Sequence, residues 1–517
     1  MKSKYQPPAK PTSGLRATNK QPGGGAVQTL LMQALAHHQQ GRLTLAHIGY
    51  EQVLAQEPQQ FDALHMLGVV MTQTQQPERA IGLIEQALRL QPRVAGAHEN
   101  LALALRQLSR FEEALRSYDQ ALALEPRHAQ THVNRGVALK SLKRFDEALA
   151  CYHTALSLRP NMVQALYNRG LLYSDLNLSL QAIQDFDAVL QLQPHFHPAL
   201  WGKTLCLLQR GEFAQAWPLY ASRWQQDEKE FTSQVLQTTL PRWQPGVAAQ
   251  RVLLWSEQGV GDELMFGALL PQAQALCSEL VVQMDARLIP LFARAMPRIQ
   301  FVPKHLPLSE SLYDAQLPLG DLPGIFCKQW NDFQALTHPY VAPDPARVSA
   351  LRSALSPDGK PLYGISWRSK NIKRGEDRSV PLGPMVQALA SQDIRLVSLQ
   401  YGDVEQELLE LKQTTGLELV QCSQVNNQTD LDGLAALMTA CDGVVSADNT
   451  TVHLAGALGQ PVWVLLPFSA DWRWLLERTD SPWYPSARLF RQSVVADWAP
   501  VLKQVSLAFS QSLYVSD

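Results

Sequence analysis

Prolines at positions 58, 92, 126, 160 and 194 stand 34 residues apart without a slip, and this period constrains the first half of the chain more than any other feature. Other columns keep the same register. Ala46, Ala80, Ala114, Ala148, Ala182 and Ala216 mark a crossing so close that only a methyl group fits between two helices. Leu54, Leu88, Leu122, Leu156 and Leu190 follow eight residues later on the same face, and Tyr50, Ile84, Tyr118, Tyr152, Phe186 and Tyr220 supply bulk beside each small residue. Proline lacks an amide hydrogen and its ring clashes with the preceding turn, so each one ends a helix and turns the chain into the next unit. The expectation is an array of six units from about Ala26 to Trp224.

The order small, aromatic, leucine, proline at this period resembles the tetratricopeptide repeat, a pair of antiparallel helices. One such pair cannot bury its apolar face alone, so the units are expected to stack into an all-α superhelix whose concave surface holds a partner. Asn100, Asn134 and Asn168 also fall 34 apart, which lines three amides along one wall. Each amide can donate to and accept from a peptide backbone. The repeats resemble those of protein O-linked N-acetylglucosamine transferases, and that resemblance implies a substrate-gripping role for the three asparagines. The plainer alternative is that they decorate a solvated face. Met66 and Gly202 interrupt the ladder on either side, so any grip is short.

A chain of 517 residues exceeds what one core holds, since domains run to roughly 100 to 200 residues. The balance of 45 basic against 47 acidic residues leaves no single-sign field to attract nucleic acid. Six cysteines, without a CxxC pair or regular spacing, suggest neither a disulfide framework nor a zinc site and read as thiols in a reducing compartment. Residues 1–25, rich in Lys, Pro and Gly, read as a disordered tail and not as a secretion signal. With no run of about 20 apolar residues, the expectation is a cytoplasmic protein without a membrane span.

After Trp224 the rhythm stops, and residues 225–250 read as a linker. From Arg251 short β-rich runs alternate with helical stretches, first over 251–345 and then, past the Pro-rich passage 339–345, over 346–517. Expected strands are Val252–Trp255, Leu280–Met284 and Ile299–Val302, then Leu362–Trp367, Ile394–Leu399, Leu417–Val420, Gly443–Ala447 and Val462–Leu466. Such alternation implies two α/β domains with parallel sheets, Rossmann-like and facing each other across a cleft. Ligands of open sheets sit beyond the carboxyl ends of the strands.

Two segments stand at such ends. Glu257-Gln258-Gly259-Val260-Gly261-Asp262 makes a tight turn, with Gly259 and Gly261 exposing backbone amides and Asp262 opening a helix at the cleft edge. It lacks the third glycine of a dinucleotide fingerprint. The stretch Asp448-Asn449-Thr450-Thr451-Val452-His453 caps a helix whose positive end is suited to a diphosphate, with His453 near the first turn.

With Gly364-Ile365-Ser366-Trp367-Arg368, these segments resemble GT-B glycosyltransferases of the heptosyltransferase-like family. The resemblance implies a transferase acting on a nucleotide-diphosphate sugar, used as co-substrate with no cofactor, in which Asp262 is the general base and Asp448 and His453 border the donor. The family's Asp-Thr-Gly is here Asp448-Asn449-Thr450, a departure at the donor contact. The fold generally uses no metal, so a cation is needed at the leaving diphosphate. Arg368 is the expected one, with Lys370, Lys373, Arg374 and Arg378 on the loop after it. Gln400, Tyr401 and Asp403 are expected to border the base or ribose, and in Trp472-Arg473-Trp474, after the last strand, the aromatic residues either wall the sugar or pack in the core. Asp430-Leu431-Asp432 imitates a metal-binding DxD, but Asp430 fits a helix cap better. Expected metal ligands are therefore none. A repeat array fused to a transferase suggests an acceptor protein; transfer to lipopolysaccharide or another glycan, and an inactive scaffold, are the alternatives.

Overall fold

A computed structural model describes residues 25–225, 235–247, 250–370, 375–390 and 394–514. It divides into two compact units, one made of residues up to 173 with 184–199, the other of 174–183 with 200–517. Lys373, Arg374, nearly all of the expected N-terminal tail and residues 226–234 of the expected linker lie outside the described residues.

Helices come in pairs through the first half of the chain: Gly25–Gln39 with Leu43–Gln56, Phe61–Gln73 with Pro77–Leu90, Ala95–Gln107 with Phe111–Leu124, and Ala129–Ser141 with Phe145–Leu158. Val163–Asp175 with Ser179–Leu192 follows, then His197–Gln209 with Phe213–Ala216, which runs on as a 3-10 helix over Trp217–Gln225. All six column alanines are fully buried. The large column meets a second small one: a β-carbon added at Gly68 would lie 2.4 Å from Ile84, and one at Gly136 2.6 Å from Tyr152. Tyr50, Tyr118, Tyr152 and Phe186 are fully buried there, each stabilising its pair by about 1.5–3 kcal/mol. The turn inside each pair repeats too. Gly41, Gln75, Ser109, Lys143, Asn177 and Gly211 all have φ between 59° and 75°. Glycine takes this left-handed conformation without penalty, and the other four hold it because the helices on both sides dictate it.

Two parallel sheets follow, both in the second unit. The first has strands β1 (Arg251–Trp255), β2 (Glu279–Met284), β3 (Gln300–Pro303) and β4 (Ala315–Pro318) in the order β3-β2-β1-β4. The second has β5 (Leu362–Ser366), β6 (Arg395–Ser398), β7 (Gly443–Ala447), β8 (Val462–Leu466) and β9 (Ala487–Arg491) in the order β6-β5-β7-β8-β9. Strands β5, β7 and β8 are buried along their whole length, as expected of parallel strands covered on both faces. In each sheet the chain turns outward in both directions from its first strand, so a switch point lies between β1 and β4 and another between β5 and β7.

The structure departs from expectation in three places. Leu417–Val420 is not a strand; Val420 makes a single bridge to Val397. Strands β4 and β9 are additional, because Ala-Gln-Leu-Pro and Ala-Arg-Leu-Phe-Arg are too short and too mixed to signal a strand. Part of the expected linker is sheet-bound: Trp243 N donates to Gln316 O at 2.8 Å and Gln316 N to Pro241 O at 3.0 Å.

Candidate active site

The helix Val260–Gly267 starts at the carboxyl end of β1, and the helix Thr450–Ala457 at that of β7; the two pack against each other. The approach is tight enough to require glycine: a β-carbon on Gly261 would stand 2.9 Å from the His453 ring. Asp262 sits at the third helical position, where its carboxylate accepts from Gly259 N at 3.2 Å. Its other oxygen is paired with the Arg473 guanidinium.

Arg473 also grips Asp471 at 2.5 Å, and Asp471 in turn meets Arg378 at 3.2 Å. Arg378 Nε stands 3.3 Å from Asp448, whose other oxygen accepts from Trp474 Nε1 at 2.9 Å. A continuous alternation of acid and base therefore runs from Asp262 on the first sheet to Asp448 on the second. Burial by itself would raise the Asp471 carboxyl, but Arg473 and Arg378 outweigh it and hold it well below the usual range. Burial likewise opposes the charge on Arg473, and Asp262 and Asp471 overcome it. Arg491, half-buried near Asp448, is pulled down to about 10 by desolvation.

His453 is buried, with its ring stacked on Trp474 at 5.5 Å and its Nδ1 2.9 Å from the Tyr484 hydroxyl. Burial first, then the neighbouring Arg473, lower its pKa to about 4. It is a neutral imidazole at pH 7, so any hydrogen bond it makes to a ligand is made without charge.

The remaining expected donor residues divide by what they hold. Gln400 is buried and its Oε1 accepts from Trp367 N and Arg368 N, both at 2.8 Å, and from Ser366 Oγ at 3.0 Å. Asn449 caps its helix by accepting from Thr451 N at 2.9 Å and donates to Ser366 Oγ at 2.8 Å and Arg368 O at 3.1 Å. Together they fix the loop after β5 across the switch point of the second sheet. Thr451 is buried beside them, while Thr450 is half-buried at the helix start. Arg368 does not face Asp448: its Nη2 donates to Asp403 O at 2.8 Å and its Nη1 lies 3.3 Å from Glu407. Arg378, at the end of the short helix Gly375–Arg378, is the arginine that faces Asp448 and Asp471.

Beyond β6 lies a polar cavity of about 330 Å³, lined by Ser398, Gln400, Asp403, Asn426, Asn427 and Gln428 among others. This is within the size range of small-molecule sites. Lys370 reaches its rim, where a β-carbon on Gly402 would meet the Lys370 ammonium. Asp430 caps its helix by accepting from Gly433 N at 2.8 Å, and Asp432 forms a bidentate pair with Arg294 at 2.6 and 2.7 Å.

In the first unit, Asn134 and Asn168 are buried and Asn100 is half-buried. Asn100 stands 2.8 Å from His65 Nε2, and Asn134 donates to Glu99 at 3.0 Å. Two members of the expected ladder therefore tie their own repeat to the one before it.

Arg473 and Asp471 as charged partners within this site, and Tyr484 behind His453, go beyond what the sequence assigns. Their signal is the aromatic and charged run Asp471-Trp472-Arg473-Trp474 with Trp483-Tyr484, which sequence alone does not attach to a pocket.

Models of the tetratricopeptide repeat match residues 31–95, 71–129, 129–162 and 163–196, and the model described as glycosyltransferase family 9 (heptosyltransferase) matches residues 386–470. The chain thus has a stretch similar to tetratricopeptide repeats and, after it, one similar to glycosyltransferase family 9. Protein FlbA of Caulobacter vibrioides is 31% identical over 332 residues, covering 58% of this chain and 53% of that protein; the chain spans about half the length of this curated relative. Similar solved structures include a thermophilic TPR protein of Thermus thermophilus, 23% identical over 35% of this chain and 99% of that one with a TM-score of 0.31. Another is pilF of Pseudomonas aeruginosa, 20% identical over 40% of this chain and 93% of that one with a TM-score of 0.35. Among the described residues no helix is long and apolar enough to cross a membrane.

Proposed function

We propose that the protein is a GT-B glycosyltransferase that moves a sugar from a nucleotide-diphosphate sugar to an acceptor hydroxyl, with inversion and without a metal. The single observation that carries this reading is the chain of contacts from Asp262 through Arg473, Asp471 and Arg378 to Asp448. It puts the carboxylate at the end of the first sheet opposite two half-buried cations beside the second.

The nucleoside occupies the polar cavity beyond β6, and the diphosphate lies toward Thr450 and Arg378. As the acceptor oxygen bonds to the anomeric carbon, the bond from that carbon to the diphosphate breaks. Asp262 takes the hydroxyl proton. The negative charge that builds on the departing diphosphate meets Arg378 and Arg473, whose partial burial strengthens the interaction. Arg473 is paired with Asp262 in the resting enzyme, and an incoming diphosphate competes for that guanidinium and leaves the carboxylate free to act as base. The acceptor is a protein recognised by the repeats.

A panel of UDP, GDP, ADP and CMP sugars, scored first by thermal shift and then by transfer, tests the reading. Stabilisation by one nucleotide class, with transfer that Asp262→Asn abolishes, supports it. No stabilisation by any nucleotide would leave a scaffold. Capture of an acceptor protein by the full chain, lost on removing the repeats, separates protein from glycan acceptors.

A further inference from the structure

In open parallel sheets the crevice at the switch point normally receives the ligand. In the first sheet that crevice, between β1 and β4, is filled from within the chain. Arg223, on the 3-10 helix that closes the last repeat, is fully buried. Its Nη2 lies 3.0 Å from Glu257, just past β1, and 2.8 Å from Asp321, just past β4. Its guanidinium is sandwiched between the rings of Tyr220 at 4.6 Å and Trp224 at 4.4 Å. Glu257 is buried as well and accepts from Gly320 N at 3.2 Å and Gln258 Nε2 at 3.1 Å.

The same repeat reaches the other arm of the site. Trp472, adjacent to Arg473, packs against Trp217 at 5.8 Å and Tyr220 at 6.4 Å. Asn177, in the turn of the fifth repeat, donates to Phe468 O at 2.7 Å on the loop that leads to Asp471. The Tyr220 hydroxyl meets Gln258 at 3.3 to 3.5 Å, one residue before the glycine turn.

We propose that the end of the repeat array is a working part of the catalytic unit, with Arg223 a positioning residue that sets the place of the turn carrying Asp262; this rests on the transferase reading above. Stability alone does not require such a residue. A buried ion cluster loses much of its attraction to desolvation, and a well-packed apolar replacement is commonly as stable. What a guanidinium shared by two carboxylates supplies is a fixed distance between the loops after β1 and β4, and hence a fixed height for Asp262 opposite Arg473.

The test compares full-length wild type with Arg223→Gln, Arg223→Gln combined with Glu257→Gln, and the milder Tyr220→Phe, all measured well below their melting temperatures. Expected for Arg223→Gln is a fall in kcat of about tenfold or more, an unchanged KM for the nucleotide sugar, and faster amide exchange in residues 257–263 but not in 443–458. The double variant regains melting temperature and not kcat. Tyr220→Phe shows the same pattern in smaller measure, and decides the matter if Arg223→Gln does not fold. Unchanged exchange in 257–263 together with unchanged kcat would overturn the proposal. Should wild type transfer no sugar at all, the transferase reading fails, while the exchange measurement still judges the positioning role.

Discussion

Asp262 and Arg473, 211 positions apart in the chain, form an ion pair across the two sheets, and the guanidinium divides itself between Asp262 and Asp471. Whatever enters this cleft must come to terms with that pair.

Replacing Asp262 with Asn removes the proton acceptor but keeps the shape. Transfer is expected to fall by about 10²- to 10⁴-fold while the dissociation constant for the nucleotide sugar, by calorimetry, stays within a few-fold. Equal loss of both would make Asp262 a turn residue only.

Arg378→Gln removes the ion pair at 3.3 Å from the buried Asp448 and leaves Asp471, 3.2 Å from the arginine, with Arg473 alone. Removing one partner of a buried pair costs about 3–5 kcal/mol. The catalytic unit is expected to melt at lower temperature, and donor affinity to weaken; Arg368→Gln, on the Glu407 side, is expected to do far less to either.

His453 is held near a pKa of about 4 against an ordinary 6.5. Between those values the unfolded chain binds a proton that the folded one refuses, so stability rises with pH across the window and is lost on acidification. The shift corresponds to about 3 kcal/mol. A melting-temperature profile from about pH 7.5 down to about 4 is expected to flatten in His453→Gln relative to wild type.

Asn134 donates to Glu99, whose carboxyl is pushed up by burial. Asn134→Ala leaves that group without its amide and is expected to destabilise the array by about 1–3 kcal/mol. A variant that weakened peptide binding with no change in melting would show instead that the amide works only on ligands.

Ser109 holds φ at 60° where the equivalent turns begin and end the array with Gly41 and Gly211. Left-handed backbone costs a β-carbon-bearing residue roughly 1–2 kcal/mol, partly offset by the greater freedom glycine loses on folding. Ser109→Gly is therefore expected to raise the melting temperature of the first unit, and the same change at Ala104, mid-helix and buried, to lower it.

The repeat is legible in the residues alone. Its period of 34 is a local pattern of alanine, aromatic and proline, each acting within a helix or on its immediate neighbour, so the columns need no knowledge of distant contacts. The two runs of alternating strands are readable for the same reason, down to Gly259–Asp262 and Asp448–His453 at strand ends. Which charges meet is a long-range matter that packing settles. Arg368 and Arg378 are equally basic in sequence, and only packing turns one toward Glu407 and the other toward Asp448 and Asp471. The asparagine column is visible as a column, but its direction is not, because the packing of one repeat on the last turns Asn134 toward Glu99. Arg223 carries no signal at all: a lone arginine at the end of the last repeat becomes the centre of the first sheet's crevice only when β1 and β4, paired in parallel from distant parts of the chain, bring Glu257 and Asp321 together around it.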